Sequence, residues 1–149
     1  MVGLDRVEEL VRRESGLAVA FVYRADGTGV ASVVNAGIID HPLTDDRLVG
    51  FVARGGARKL AHLRERPRIT VVFRSGWEWA AVEGDALLVG HDDPLDGVEP
   101  SDVAGILRAV YAAAVGGTDD DWAEMDDTMA AEGHTAVLIV PGRIYANPA

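Results

Sequence analysis

Two β-rich runs, Leu17 to Arg24 and Val30 to Gly37, flank the segment Ala25-Asp26-Gly27-Thr28-Gly29. An Asp-Gly pair between such runs predicts a β-hairpin. Ahead of it, Val7, Leu10 and Val11 recur at helical spacing among charged residues from Asp5 to Glu14, and Gly16 stands where that helix should stop. After the hairpin, Ile38 to Asp46 carries turn chemistry in Asp40-His41-Pro42 and Thr44-Asp45-Asp46, and a third strand is expected over Arg47 to Arg54. Gly55-Gly56 ends it. Leu60 and Leu63 then predict a short helix over Ala57 to Arg64, closed by Pro67.

Ile69 to Phe73 reads as a fourth strand and Trp77 to Val89 as a fifth, with a break or bulge near Gly84. Beyond the loop from Asp92 to Pro100, Ser101 is the expected cap of a helix running to Val115, with Val103, Ile106, Leu107, Val110 and Tyr111 on its buried side. Gly116-Gly117 should interrupt it, and Asp119-Asp120-Asp121 should open an acidic helix through Ala131. Thr135 to Ala146, with Pro141-Gly142 inside it, is expected to be a strand pair or one bent strand. Strands in hairpin order with helices inserted late do not follow the alternating pattern of a parallel sheet. An antiparallel barrel with helices at its margin is the expected fold, over a single domain spanning 1–149.

Composition narrows the function. No apolar run approaches the roughly 18 residues of a membrane span, and the acidic N-terminus is unlike a secretory signal, so a soluble, cytoplasmic protein is expected. The chain has no cysteine, which excludes disulfides and thiolate chemistry. A net charge of -10 argues against nucleic acid as a partner. His41, His62, His91 and His134 show no metal-ligand spacing and read as surface residues, and the acids Asp119-Asp120-Asp121, Glu124, Asp126 and Asp127 lack the calcium-loop pattern. No serine stands in a nucleophile-elbow setting.

Charge is unevenly spread. Arg54, Arg58, Lys59, Arg64, Arg66, Arg68 and Arg74 fall in 21 positions against one acid, Glu65. A strand ending in Arg54, two glycines, and Arg58-Lys59 in the first turn of a helix suit a bound anion, because the glycines let backbone approach and the helix start offers unpaired N–H groups. A solvated helix start is the other reading of the same residues. Lys59 is the only lysine among 14 cationic residues. The segment is not a P-loop, and Gly27-Thr28-Gly29 lacks the rest of a dinucleotide fingerprint.

The run from Leu48 through Gly55-Gly56-Ala57-Arg58-Lys59 to Val72, followed by Trp77 to Ala86 and preceded by Leu17 to Gly37, resembles the cofactor-binding core of the pyridoxamine phosphate oxidase-like proteins. It is more closely similar to their actinobacterial branch that uses the deazaflavin coenzyme F420. The resemblance implies a six-stranded split β-barrel, a homodimer, and a flavin-like ring bound in a groove between subunits. By position it implies that Arg58 and Lys59 hold the cofactor phosphate and that Ala57 gives a backbone N–H where many relatives have serine. Arg54, Val52 and Ala53 would line the groove, Ser32, Val33, Val34 and Asn35 would pass along the ring, and Trp79 would come from the second subunit. It implies F420, or else FMN, as cofactor, and hydride transfer to an unsaturated small molecule with no catalytic side chain. A second basic site for pyridoxamine phosphate is not found, and a module that binds cofactor without turnover is the alternative. Two further expectations concern packing: Trp77 and Trp79 should share a strand face, and Asn147-Pro148 should fray or else cover the groove.

Overall fold

The computed structural model describes residues 3–115 and 122–148, so Gly116-Gly117 and Asp119-Asp120-Asp121 lie outside the described residues, as does the side chain of Glu124. The six strands are β1 (Leu17–Tyr23), β2 (Gly29–Asp40), β3 (Arg47–Ala53), β4 (Arg68–Ser75), β5 (Glu78–Gly90) and β6 (Thr135–Ala146). All pair antiparallel, in the closed order β1-β2-β3-β6-β5-β4. The helices are α1 (Leu4–Glu14), α2 (Arg58–Glu65), α3 (Val103–Val115) and α4 (Trp122–Ala131). The expected six-stranded antiparallel split barrel with marginal helices is the architecture observed.

Period-two patterning builds the barrel interior. Ala18, Ala20 and Val22 of β1 point inward beside Ile69, Val71 and Phe73 of β4, while Phe51 from β3 and Val137 and Ile139 from β6 fill the middle. Leu60 and Leu63 of α2 join the same core, and so do Val7, Leu10 and Val11 of α1, the residues whose helical spacing marked that helix. A second core lies outside β3, where Leu48 packs with Leu138, Val89, Val103, Leu107, Val110 and Met129 beneath α3 and α4. β3 is therefore covered on both faces, which explains why its sequence is continuously apolar instead of alternating.

The bulge expected near Gly84 is present as a register shift between Glu83 and Gly84 opposite β6. A Cβ at Gly84 would lie 1.9 Å from the Val140 carbonyl oxygen, so only glycine fits. Pro141, which has no N–H to give to a ladder, sits opposite that irregularity. Thr135 to Ala146 is thus one bent strand. Three other expectations are corrected. β2 runs on to Asp40, because Ile38 and Ile39 pair with Val49 and Leu48 before the turn begins. Ser101 does not cap α3; a short 3-10 turn, Pro100–Asp102, leads into it. Ala114 is buried on α3, whereas Tyr111 is exposed.

Among the described residues, no helix is long and apolar enough to cross a membrane.

Candidate functional site

β2 and β3 run together only as far as the pair Ala36–Phe51. Past that point Ser32 to Asn35 pair with β1, and Val52 and Ala53 pair with Ala136 and Thr135 of β6. The two strands no longer pair with each other there, and this break in their ladder is the notch between β2 and β3. Ser32 and Val34 share the inward face with Ala20 and Ala18. Val33 and Asn35 face outward, and the Asn35 amide donates to the Ser15 carbonyl at 3.1 Å. Val52 packs into the layer under α3 and α4, and Ala53 is buried in the barrel interior. In the notch these last two offer backbone instead of side chain.

The chain leaves β3 at Arg54 and turns through Gly55-Gly56 into α2. The Ala57 N–H donates to the Arg54 carbonyl at 3.0 Å, and the Gly55 N–H to the Glu132 carbonyl at 3.2 Å. A Cβ on Gly55 would meet the Gly133 carbonyl oxygen at 2.7 Å, so glycine is needed for the β3–α2 turn to lie against the link between α4 and β6. Ala57 precedes α2 in extended conformation with no side-chain cap, and no acid sits in the helix's first turn. The Ala57 N–H is thus engaged and the Leu60 N–H donates to the Ala57 carbonyl at 3.1 Å, so the N–H groups of Arg58 and Lys59 carry the uncompensated positive end of the helix. Arg54, Gly56, Ala57 and Glu132 line an open cleft of about 550 Å³.

The basic cluster read from the sequence is largely neutralised by acids from elsewhere in the chain. Arg64 donates through Nε and Nη2 to both oxygens of Asp93, each at 2.8 Å, and the Thr135 hydroxyl donates to the same carboxylate at 2.8 Å. The Arg64 hydrogen bonds hold the Asp93 carboxyl below the usual carboxylate range, with help from Thr135 and against partial burial. Arg66 donates to the Tyr23 carbonyl and to Glu65, Arg68 lies 3.7 Å from Glu83 and 3.9 Å from Asp85, and Arg74 donates to the Gly76 carbonyl. Arg54 Nε lies 3.4 Å from Glu132 Oε2. Arg58 and Lys59 alone of the seven make no ion pair or side-chain hydrogen bond among the described residues.

Trp79 lies on the outer face of β5, edge-on to Tyr145 with ring centroids 6.0 Å apart. That face continues through apolar positions Leu17, Val19, Phe21, Val33 and Val72, with Val33 70% exposed. Trp77 does not share it, because Trp77 occupies the β4–β5 turn and is 93% exposed. Asn147 neither frays nor covers the notch. Its side chain accepts from the Trp79 N–H at 2.9 Å and donates to the Trp77 carbonyl at 2.8 Å. Among the described residues no three His, Asp or Glu side chains cluster as metal ligands. His134 is mostly buried and its Nδ1 has no partner, contrary to the surface position expected of it.

The sequence reading missed Glu132 and Gly133. A glycine after an alanine-rich helix marks only where α4 ends, and nothing local reveals that this link lies against Gly55.

No family model and no curated protein matches the chain. Among solved structures it is similar to the conserved hypothetical protein Rv2991 of Mycobacterium tuberculosis, with a TM-score of 0.71 at 18% identity over 98% of this chain and 84% of that one. It is also similar to a pyridoxamine 5'-phosphate oxidase-related, FMN-binding protein of Nostoc punctiforme, with a TM-score of 0.62 at 14% identity over 96% and 79% of the two chains. An F420 reductase gives a TM-score of 0.58 at 13% identity over 93% and 94%. At these identities the likeness is one of fold: the chain has the split β-barrel that these structures share.

Proposed function

We propose that this protein is a cytoplasmic oxidoreductase that holds a phosphate-bearing flavin-type cofactor at the notch between β2 and β3, and that the cofactor is the deazaflavin F420. The observation that carries the reading is the pair Arg58 and Lys59, uncompensated at an uncapped helix start beside the break in the β2–β3 ladder. The residues fit the group. Two cationic side chains and the free N–H groups of α2 match one phosphate in charge and hydrogen bonding, and Gly56 leaves that approach open, since a Cβ there would meet nothing within 4 Å.

Arg58 and Lys59 bind the phosphate and thereby fix the position of the attached ring. Backbone of Val52 and Ala53 on one strand and of Ser32 to Asn35 on the other borders the ring's place in the notch. When bound, the cofactor supplies hydride transfer to or from an unsaturated small molecule. The apolar outer face of β1, β2, β4 and β5 is the surface for a second copy of the chain, which brings Trp79 of one subunit toward the site of the other. An exposed apolar sheet face of this kind marks an interaction site.

FMN is the second reading. Arg54 and Arg64, which would suit the anionic tail of the deazaflavin, are already paired with Glu132 and Asp93. Titrating the protein with FMN and with oxidised F420, followed by tryptophan fluorescence, separates the two. Arg58→Ala and Lys59→Ala should each weaken binding of the preferred cofactor by about tenfold or more, the value of a lost charge-assisted hydrogen bond. Unchanged affinity in both variants would refute the phosphate assignment. Reoxidation of bound reduced cofactor that quinones, enones or tetrapyrroles do not accelerate would make the protein a binding module instead of an enzyme.

A further inference from the structure

Glu132 stands at the boundary of two hollows. One is the cleft with Arg54, Gly56 and Ala57; the other, of about 410 Å³, is lined by Gly55, Arg64, Asp92 and the segment from Ala130 to Gly133. The main chain of Glu132 is fixed to the β3–α2 turn through the Gly55 N–H. Its carboxylate faces Arg54 at 3.4 Å and has His134 Nε2 as its other neighbour at 3.7 Å. In the second hollow Arg64 is engaged by Asp93, and Asp92 adds a carboxylate with no ion-pair partner among the described residues. Charge therefore changes along the surface. It is positive at Arg58 and Lys59, neutral at Arg54 with Glu132, and negative overall at Arg64, Asp93 and Asp92.

We propose that Glu132 tunes how strongly this site holds negative charge beyond the phosphate: by pairing with Arg54 it competes with the carboxylates of the deazaflavin tail, which the site accepts but binds less tightly than Arg54 alone would allow. The inference rests on the phosphate reading of Arg58 and Lys59, and it deepens that reading by naming what distinguishes FMN from F420 here. A carboxylate that follows the phosphate across the cleft competes with Glu132 for Arg54, whose side chain is 73% exposed, and then approaches Asp92. A ligand that ends at its phosphate meets neither acid.

The test compares binding of FMN and oxidised F420 to the full chain and to Glu132→Gln. The variant should tighten F420 roughly threefold to tenfold, as expected for one partly screened charge, and leave FMN within about twofold. Arg54→Gln added to Glu132→Gln should abolish the gain, which a merely structural effect of Glu132 would not do. Asp92→Asn, which removes negative charge from the same region without touching Glu132, should act in the same direction. Equal changes for the two ligands, no change, or weaker binding of both would overturn the proposal; weaker binding would instead make Glu132 an acceptor for ligand hydroxyls. If Arg58→Ala and Lys59→Ala leave both affinities unaltered, the phosphate reading itself fails, and if wild type and Glu132→Gln bind neither ligand, both statements fall.

Discussion

Replacing Asp93 by asparagine probes the tie that joins α2 to the loop after β5. Asp93 is 8% exposed and accepts three hydrogen bonds, two from the Arg64 guanidinium and one from Thr135. Asparagine keeps the shape but presents an N–H₂ group to one of those donors and removes the charge opposite Arg64. Hydrogen bonds to charged groups contribute about 1.5–3 kcal/mol each, and Arg64 is partly open to solvent, so a net loss of about 2 kcal/mol is expected. For a chain of this size that lowers Tm by roughly 4–8 °C. The pH dependence carries the sharper test. The folded-state pKa of Asp93 is depressed, so its contribution is complete above about pH 5 and is lost as pH falls below the unfolded value near 3.9 and through the lower folded value. Thermal melts of wild type and Asp93→Asn across that range should therefore converge on acidification. A Tm gap that stays constant down to about pH 2.5 would refute the assignment of that stability to the ionised carboxylate.

Gly84→Ala should cost about 3 kcal/mol or more in urea denaturation, because its Cβ would overlap the Val140 carbonyl where neither backbone can yield cheaply. On the proposal that the outer sheet face joins two copies of the chain, Val33→Asp, at an exposed apolar position, should leave Tm of the isolated chain nearly unchanged and move sedimentation of the protein toward monomer. Sedimentation identical to wild type would remove the outer sheet face as the contact surface.

Where the determinants are local, the sequence was readable. The β1–β2 hairpin follows from the Asp26-Gly27 turn between two β-rich runs, and Asp26 accepts hydrogen bonds from the Thr28 N–H and hydroxyl as such a turn requires. The β3–α2 junction follows from a strand, two glycines and paired leucines. Long-range partners were not readable. Arg64 looked available for a ligand because its neighbours in sequence are basic, yet its acid lies 29 residues on, and the acid facing Arg54 lies just beyond the end of α4. The continuation of β2 through Ile39 was hidden by turn-forming residues just after it. Trp77 was misplaced because the period-two rule holds only inside a strand, and β5 starts one residue later.

The closed order of the barrel has a consequence for how the protein is made. β6 lies between β3 and β5, and it is the last strand to be synthesised. Until it emerges from the ribosome, the backbone edges of β3 and β5 have no partner, and the residues that fill the middle of the core, Val137 and Ile139, are missing. Unpaired edges beside apolar faces are the places where nascent chains aggregate. Closure of this barrel therefore waits for the last of its six strands, and a circular permutant that opens the β4–β5 turn and links β6 to α1 would place β6 ahead of β1 in the order of synthesis, allowing β5, β6 and β3 to pair before β4 is made.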